Sequence, residues 1–278
     1  MTATENDSPV VLESLSPAVG RITLNSPSDR NALSRAMRQA ILDALQEARG
    51  SGAQVVIVRG DERAFSSGYK LDPGVMRPTT AVEDRHRLVE VTDFMRAYRE
   101  HPLVTIAEVR GYCLAGGTDL MLASDVAIAA DDARLGVPNV RGLGITMLLP
   151  VWSWVLGPQR AKLLALTGDM ISGAEAAEVG LVAAAYDSDE LSRRVEAIAD
   201  RMALMPPELL AVTKNALNVA WDSAGFSTTV LRAAELDAIS HATGPVVGFW
   251  DNVVANGMRS ALDARDGAFA GGRMLDLL

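Results

Sequence analysis

Residues 108–125 read E-V-R-G-Y-C-L-A-G-G-T-D-L-M-L-A-S-D, an apolar strand that runs into a glycine pair and straight on into a helix. Residues 103–109 alternate and are rich in β-branched side chains, as a strand should be, and 120–123 form a short apolar helical turn with Asp119 in front of it. Gly116 and Gly117 fall at the junction. Glycine there lets the backbone approach a ligand closely, and N–H groups at a helix start point at negative charge ahead of them. Such a turn can bind an oxyanion. An isolated glycine pair is weak evidence, because it also serves tight strand–helix packing.

A second stretch of the same build changes that balance. Residues 59–72, R-G-D-E-R-A-F-S-S-G-Y-K-L-D, leave the end of the apolar run 55–58, and small residues again crowd the strand exit. Two such exits, each offering a backbone N–H, supply the two donors that a thioester carbonyl needs as it becomes an enolate. In order along the chain, V-V-I-V-R-G, A-F-S-S-G-Y, G-Y-C-L-A-G-G-T-D-L and A-R-L-G-V-P-N-V-R-G-L-G resemble the crotonase (enoyl-CoA hydratase/isomerase) superfamily, over residues 21–182. The resemblance implies an α/β fold, a right-handed spiral of stacked ββα units (residues 1–204), with a helical region (205–278) that builds homotrimers, often paired into homohexamers.

Carried onto this sequence, the resemblance makes the peptide N–H groups of Tyr69 and Gly116 the oxyanion donors. Loss of one such donor costs about 2.7–4 kcal/mol of transition-state stabilisation. Ala64, Ser66, Tyr69, Lys70, Leu71, Asp72, Gly116 and Gly117 become the substrate-binding set, with 69–72 bordering the pantetheine and adenine of coenzyme A. Tyr69 stands where a small residue is common in the family, and Lys70 where an aspartate is. The typical hydratase works with two glutamates; Asp119 and Asn139 occupy those places here. Aspartate is one methylene shorter, and a displacement of about 1 Å can cost roughly a hundredfold in rate. Asparagine exchanges no proton near neutrality. Two-carboxylate hydration is therefore not expected. Asp119 is left as the single matched acid/base and Asn139 as a holder of water or carbonyl, although an aspartate at this place also suits a helix cap. Three readings stay open: a lyase or isomerase acting on an acyl-CoA, an inactive acyl-CoA-binding paralogue, and another reaction of the superfamily such as hydrolysis or decarboxylation. The last would take its base from elsewhere, with His86, Glu108 and Asp72 as candidates.

Composition narrows the partners. With 278 residues, nearly half of them apolar, the chain can bury a large core with a helical piece appended. The balance of 26 basic against 35 acidic residues, a formal charge of −9, argues against nucleic acid or an anionic membrane as partner. One cysteine, Cys113, excludes an internal disulfide and fits a reducing compartment. The acidic start M-T-A-T-E-N-D-S-P has no secretory pattern and is expected to fray, so a soluble cytoplasmic protein is expected, and the resemblance implies a role in fatty-acid metabolism. No cofactor or metal is implied, since coenzyme A is part of the substrate.

The remaining elements follow from periodicity. Residues 10–15 and 19–24 read as a hairpin around Ser16-Pro17. Leu33, Met37, Ile41, Leu45 and Ala48 mark an amphipathic helix after Asn31-Ala32-Leu33, and Leu88, Val91, Met95 and Tyr98 mark another. The loop 72–83 is placed by the resemblance against the acyl chain. Arg30 resembles a position near the coenzyme A phosphates and reads equally as a solvated charge. Helices are expected over 158–166, 173–178, 189–204, 208–221, 228–241 and 245–258, with a short strand at 180–182. Asp125 resembles a buried structural aspartate. Trp221, Phe226, Phe249 and Trp250 read as interface anchors or as ordinary core.

Overall fold

The computed structural model describes residues 8–72 and 80–269. The N-terminal stretch expected to fray lies outside them, as does most of the 72–83 loop; a helix already starts at Ala81. The hairpin is β1 (Val10–Ser16) and β2 (Val19–Leu24), paired antiparallel. Then come α1 (Arg35–Gly50), β3 (Val55–Arg59), β4 (Ala64–Ser66), α2 (Ala81–Arg99), β5 (Val104–Val109), β6 (Tyr112–Leu114), α3 (Gly116–Ala123), β7 (Val126–Ala130) and β8 (Arg134–Gly136). The chain continues through α4 (Trp152–Leu156), α5 (Pro158–Thr167), β9 (Met170–Ser172), α6 (Gly173–Glu178) and β10 (Ala184–Tyr186). It ends in helices α7 (Ser188–Met202), α8 (Pro207–Ser223), α9 (Phe226–His241), α10 (Gly244–Asn256) and α11 (Met258–Asp266).

Two sheets alternate along the chain. One has the order β1-β2-β3-β5-β7-β10, the other β4-β6-β8-β9. Each turn of the spiral lays one strand in the first sheet and the next in the second, so β3-β4, β5-β6 and β7-β8 repeat one unit. From β2 onward the first sheet is parallel, with Val55 opposite Val104 and Ile106 opposite Val126. A parallel strand covered on both faces must be apolar throughout. All six residues of β5 are accordingly buried, so the alternation seen in 103–109 does not mark a solvent face. The expected strand at 180–182 is a turn and irregular chain, and the strand is β10, two residues further on. The last helix, α11, was not anticipated.

The chain divides into two compact units. One comprises Met1–Lys70, Phe94–Leu135 and Ile171–Gly225; the other comprises Leu71–Asp93, Gly136–Met170 and Phe226–Leu278. In the first, Lys214 of α8 reaches inward to donate to Leu103 O (2.8 Å) and Asp125 Oδ2 (2.7 Å), while Thr105 N donates to the same carboxylate at 2.8 Å. Asp125 is thus a structural hub. In the second, Leu143, Val246, Phe249, Trp250, Val253 and Ala261 form a core, with the Phe249 and Trp250 rings edge to face at 5.3 Å. Phe226 is buried as well, so Phe226, Phe249 and Trp250 serve the chain's own interior and not an interface; Trp221 is half-buried in the first unit.

Candidate active site

Parallel neighbours deliver their C-terminal ends to the same edge. β4 and β6 pair in parallel, Ala64 opposite Tyr112 and Ser66 opposite Cys113, so the loop leaving β4 and the loop leaving β6 emerge side by side. Gly68 (φ 103°) makes their contact: a Cβ there would stand 3.0 Å from the Gly116 nitrogen and 2.9 Å from Leu114 O. Tyr69 follows at once. The β6 exit turns sharply at Ala115 (φ 50°, ψ −120°), which caps α3 without a side-chain bond. Gly116 is the first residue of α3, so its N–H has no partner within the helix and points out of its N-terminus.

The first loop is braced from below. Ser66, fully buried, donates to Asn31 O (2.8 Å) and accepts from Gly68 N (3.2 Å). Leu33 N donates to Gly68 O (2.7 Å), Ser67 N to Arg30 O (2.9 Å), and Asn31 Nδ2 to Ala64 O (2.9 Å). Ala64 and Ser66 thus hold the loop's shape with groups already engaged. Asn31, buried with φ 55°, is the brace that sequence reading left unassigned; its place before the marked helix in N-A-L was the only signal. Lys70 lies at the rim, paired with Asp29 (2.9 Å), both side chains over two-fifths exposed. Arg30 is exposed, 5.9 Å from the centroid of the Tyr112 ring.

Asp119 is fully buried one turn into α3, so it is not the helix cap; Ala115 holds that place. Its Oδ2 accepts a hydrogen bond from Tyr69 Oη at 2.7 Å. The Tyr69 ring spans the gap, lying so close to Gly116 that a Cβ there would meet ring carbons at 2.7 Å. Gly117 touches the other loop, its hypothetical Cβ only 2.4 Å from Ser66 O. Ala64, Ser66, Tyr69, Gly116, Gly117 and Asp119 therefore come together in the first unit. Cys113 is buried beneath; burial and the nearby Asp119 charge push its thiol up, which suits a spectator.

Asn139, Leu71 and Asp72 belong to the second unit. Asn139 sits in a short 3₁₀ turn, Pro138–Arg141, and its side chain donates to Gly144 O at 3.1 Å. Its Oδ1 is buried without a hydrogen-bond partner among the described residues. The chain just beyond is clamped by charge: Ile145 N donates to Asp237 Oδ1 (2.7 Å), and His241 bonds Leu143 O (3.1 Å) and Asp84 Oδ2 (2.6 Å). Burial pushes Asp237 up to about 6. Burial opposes charge on His241 too, but Asp84 and Asp237 outweigh it and raise its pKa. Burial likewise works against the Asp84 carboxylate, yet His241 and Arg87 hold its pKa below the ordinary value. Leu71 packs against the Leu143–Trp250 core, and Asp72 is exposed.

The alternative bases fare differently. His86 is exposed on α2. Glu108 is buried, its Oε1 accepting from Ser192 Oγ (2.7 Å) and Arg110 Nε (3.3 Å), within the first sheet's own packing. Among the described residues no cluster of three or more metal-ligating side chains occurs.

Residues 15–243 match the family model described as enoyl-CoA hydratase/isomerase. The crystal structure of an enoyl-CoA hydratase/isomerase from Xanthobacter autotrophicus Py2 superimposes with a TM-score of 0.86 at 37% identity, covering 95% of this chain and 99% of that one. An enoyl-CoA hydratase from Mycobacterium smegmatis gives 0.86 at 30% identity, over 97% and 98% of the two chains. The 2,3-dehydroadipyl-CoA hydratase of Escherichia coli K12 is 31% identical over 202 residues, 70% of this chain and 76% of its own.

Proposed function

The chain belongs to the enoyl-CoA hydratase/isomerase family of the crotonase superfamily, and from that premise we propose that it acts on an acyl-CoA thioester through an enolate. The thioester oxygen is held by the peptide N–H groups of Tyr69 and Gly116. Asp119 takes the proton: the C–H electron pair at the α-carbon moves into the carbonyl, the proton rests on the carboxylate, and it returns to carbon as product forms. Asn139 holds water or a substrate oxygen and moves no proton. Ala64, Ser66, Lys70, Leu71, Asp72 and Gly117 shape the coenzyme A side of the site. The reaction is that of a lyase or isomerase of fatty-acid metabolism with no further cofactor, in a cytoplasmic homotrimer or homohexamer. No helix among the described residues is long and apolar enough to cross a membrane.

One observation carries this reading: the exits of β4 and β6 lie against each other, Gly68 on the Gly116 nitrogen, with the buried Asp119 one turn beyond. The relatives' names support a coenzyme A thioester as substrate. A binding protein without turnover is the second reading, favoured by Asn139 in place of a second acid. Turnover of 2-enoyl- and 3-enoyl-CoA thioesters by the wild type and Asp119→Asn, with calorimetry alongside, tests both. Loss of at least a hundredfold in Asp119→Asn is expected; equal activity removes Asp119 from the mechanism. Tight binding without any turnover favours the second reading, and no binding sinks both.

A further inference from the structure

Tyr69 links the two strand exits of the first unit to the buried carboxylate of Asp119. Its backbone leaves the β4 loop next to Gly68, its ring covers Gly116, and its hydroxyl donates to Asp119 Oδ2 at 2.7 Å. The carboxylate it meets is fully buried. A carboxylate in such surroundings is held chiefly by the donors that reach it, and a hydrogen bond to a charged group is among the stronger kinds. Phenylalanine would fill the same space over Gly116. The hydroxyl is therefore the part of this residue whose purpose packing does not explain.

We propose that Tyr69 and Asp119 work as a dyad in which the tyrosine hydroxyl is the positioning group of the acid/base. This rests on the acyl-CoA reading above and adds a residue to it. The phenol keeps its proton throughout. It fixes the orientation of the carboxylate while Asp119 accepts the α-proton, and it keeps the same geometry while the proton is handed back to carbon. One residue then serves both halves of the reaction, its peptide N–H facing the thioester oxygen and its hydroxyl setting the base. The aspartate, one methylene shorter than glutamate, has its direction set from outside its own helix.

Tyr69→Phe isolates the hydroxyl, because the ring and the peptide N–H remain. The probe is 3-hexenoyl-CoA in D2O, with deuterium at the α-carbon followed by mass spectrometry and binding by calorimetry. Tyr69→Phe is expected to slow exchange roughly 10- to 100-fold with the dissociation constant unchanged within about twofold. Asp119→Asn is expected to lose more, and the double variant to match Asp119→Asn, since two members of one unit do not add. A fold lesion would lower binding and thermal stability together with rate, and so is told apart. Wild-type exchange by Tyr69→Phe, or independent, additive losses in the double variant, would overturn the dyad and leave the acyl-CoA reading standing. A wild type that binds the probe but exchanges nothing overturns the dyad and catalysis together, and one that does not bind it sinks the acyl-CoA reading as well.

Discussion

Ala115 is a non-glycine residue at φ 50° and ψ −120°, a conformation that costs an L-residue about 1–3 kcal/mol. The strain sits directly before the Gly116 amide, where it turns the chain sharply enough to aim that N–H outward. Ala115→Gly should relieve it. The added freedom of the unfolded chain takes back about 0.4–1 kcal/mol, so a net gain of about 1 kcal/mol is expected in urea denaturation; a loss would show that the turn is not strained. Gly117→Ala should do the opposite. Its Cβ would sit 2.4 Å from Ser66 O, a backbone atom that cannot swing aside, so β4 and α3 must part. A loss of about 1–3 kcal/mol is expected, and a shift of about 1 Å in the neighbouring amide would cost roughly a hundredfold in kcat. Unchanged stability and turnover would contradict the close packing of the two loops. At this scale the sequence displayed the small residues of the two strand exits but not how they touch, and it showed no sign that Asn139, Leu71 and Asp72 belong to the second unit. The glycines and serines of the two strand exits were visible as composition, whereas the Tyr69–Asp119 bond joins residues fifty apart and the Asn31 brace depends on a left-handed backbone that no local pattern announced.

Elements were legible wherever burial was one-sided and long. The helix over residues 35–50 shows its Met37, Ile41 and Leu45 stripe plainly, and Ser34 caps it through a bond from Met37 N. β10 was misplaced by a few residues because A-A-A-Y carries little β-branching, while the preceding G-L-V imitates a strand. Between elements, the charged clamp of the second unit was invisible in sequence, since Asp84, Asp237 and His241 come from two distant helices. It makes a pH prediction. His241 has a raised folded pKa, so its contribution is full below the ordinary 6.5 and fades as pH rises through the folded value. Asp237, pushed up to about 6, has the same sign: its contribution is present at low pH and lost as pH climbs through about 6. Asp84 runs the other way, present above 3.8 and lost only as pH falls through its lower folded value. The clamp should therefore lose the Asp237 contribution between about pH 4 and 6 and the His241 contribution from 6.5 upward. Urea midpoints at pH 5.5 and 8.5 check it: the wild type should lose on the order of 1 kcal/mol more across that interval than His241→Gln. Equal slopes would remove His241 from the linkage.

For the whole molecule, the repeating unit was legible because each turn of the spiral buries an apolar run, such as V-V-I-V at 55–58, that has no other use in a chain with 35 acidic and 26 basic residues. The gathering of separated segments into two units was not, since proximity in space leaves no mark on chain order. The exposed apolar side chains of the C-terminal helices bear on the proposed oligomer. α8 is 17 residues long and buries only Leu210 and Lys214, leaving Val212 and Leu217 65% and 69% exposed. On α9, Ile239 is 63% exposed, and on α10, Val254 is 67% exposed. Single exposed apolar residues need no explanation, but each of these helices keeps at least one large apolar side chain in water, which is what the proposed assembly would cover. In the proposed trimer or hexamer these side chains leave water, and a charge placed among them would be buried without a partner. Sedimentation velocity at micromolar concentration should accordingly give three or six times the chain mass for the wild type. Val212→Glu with Leu217→Glu should shift it toward one chain mass while the far-ultraviolet circular dichroism stays the same, because neither residue belongs to the chain's own core. A wild type that sediments as a single chain, or a double variant that assembles as before, would show that these helices face solvent for some other reason.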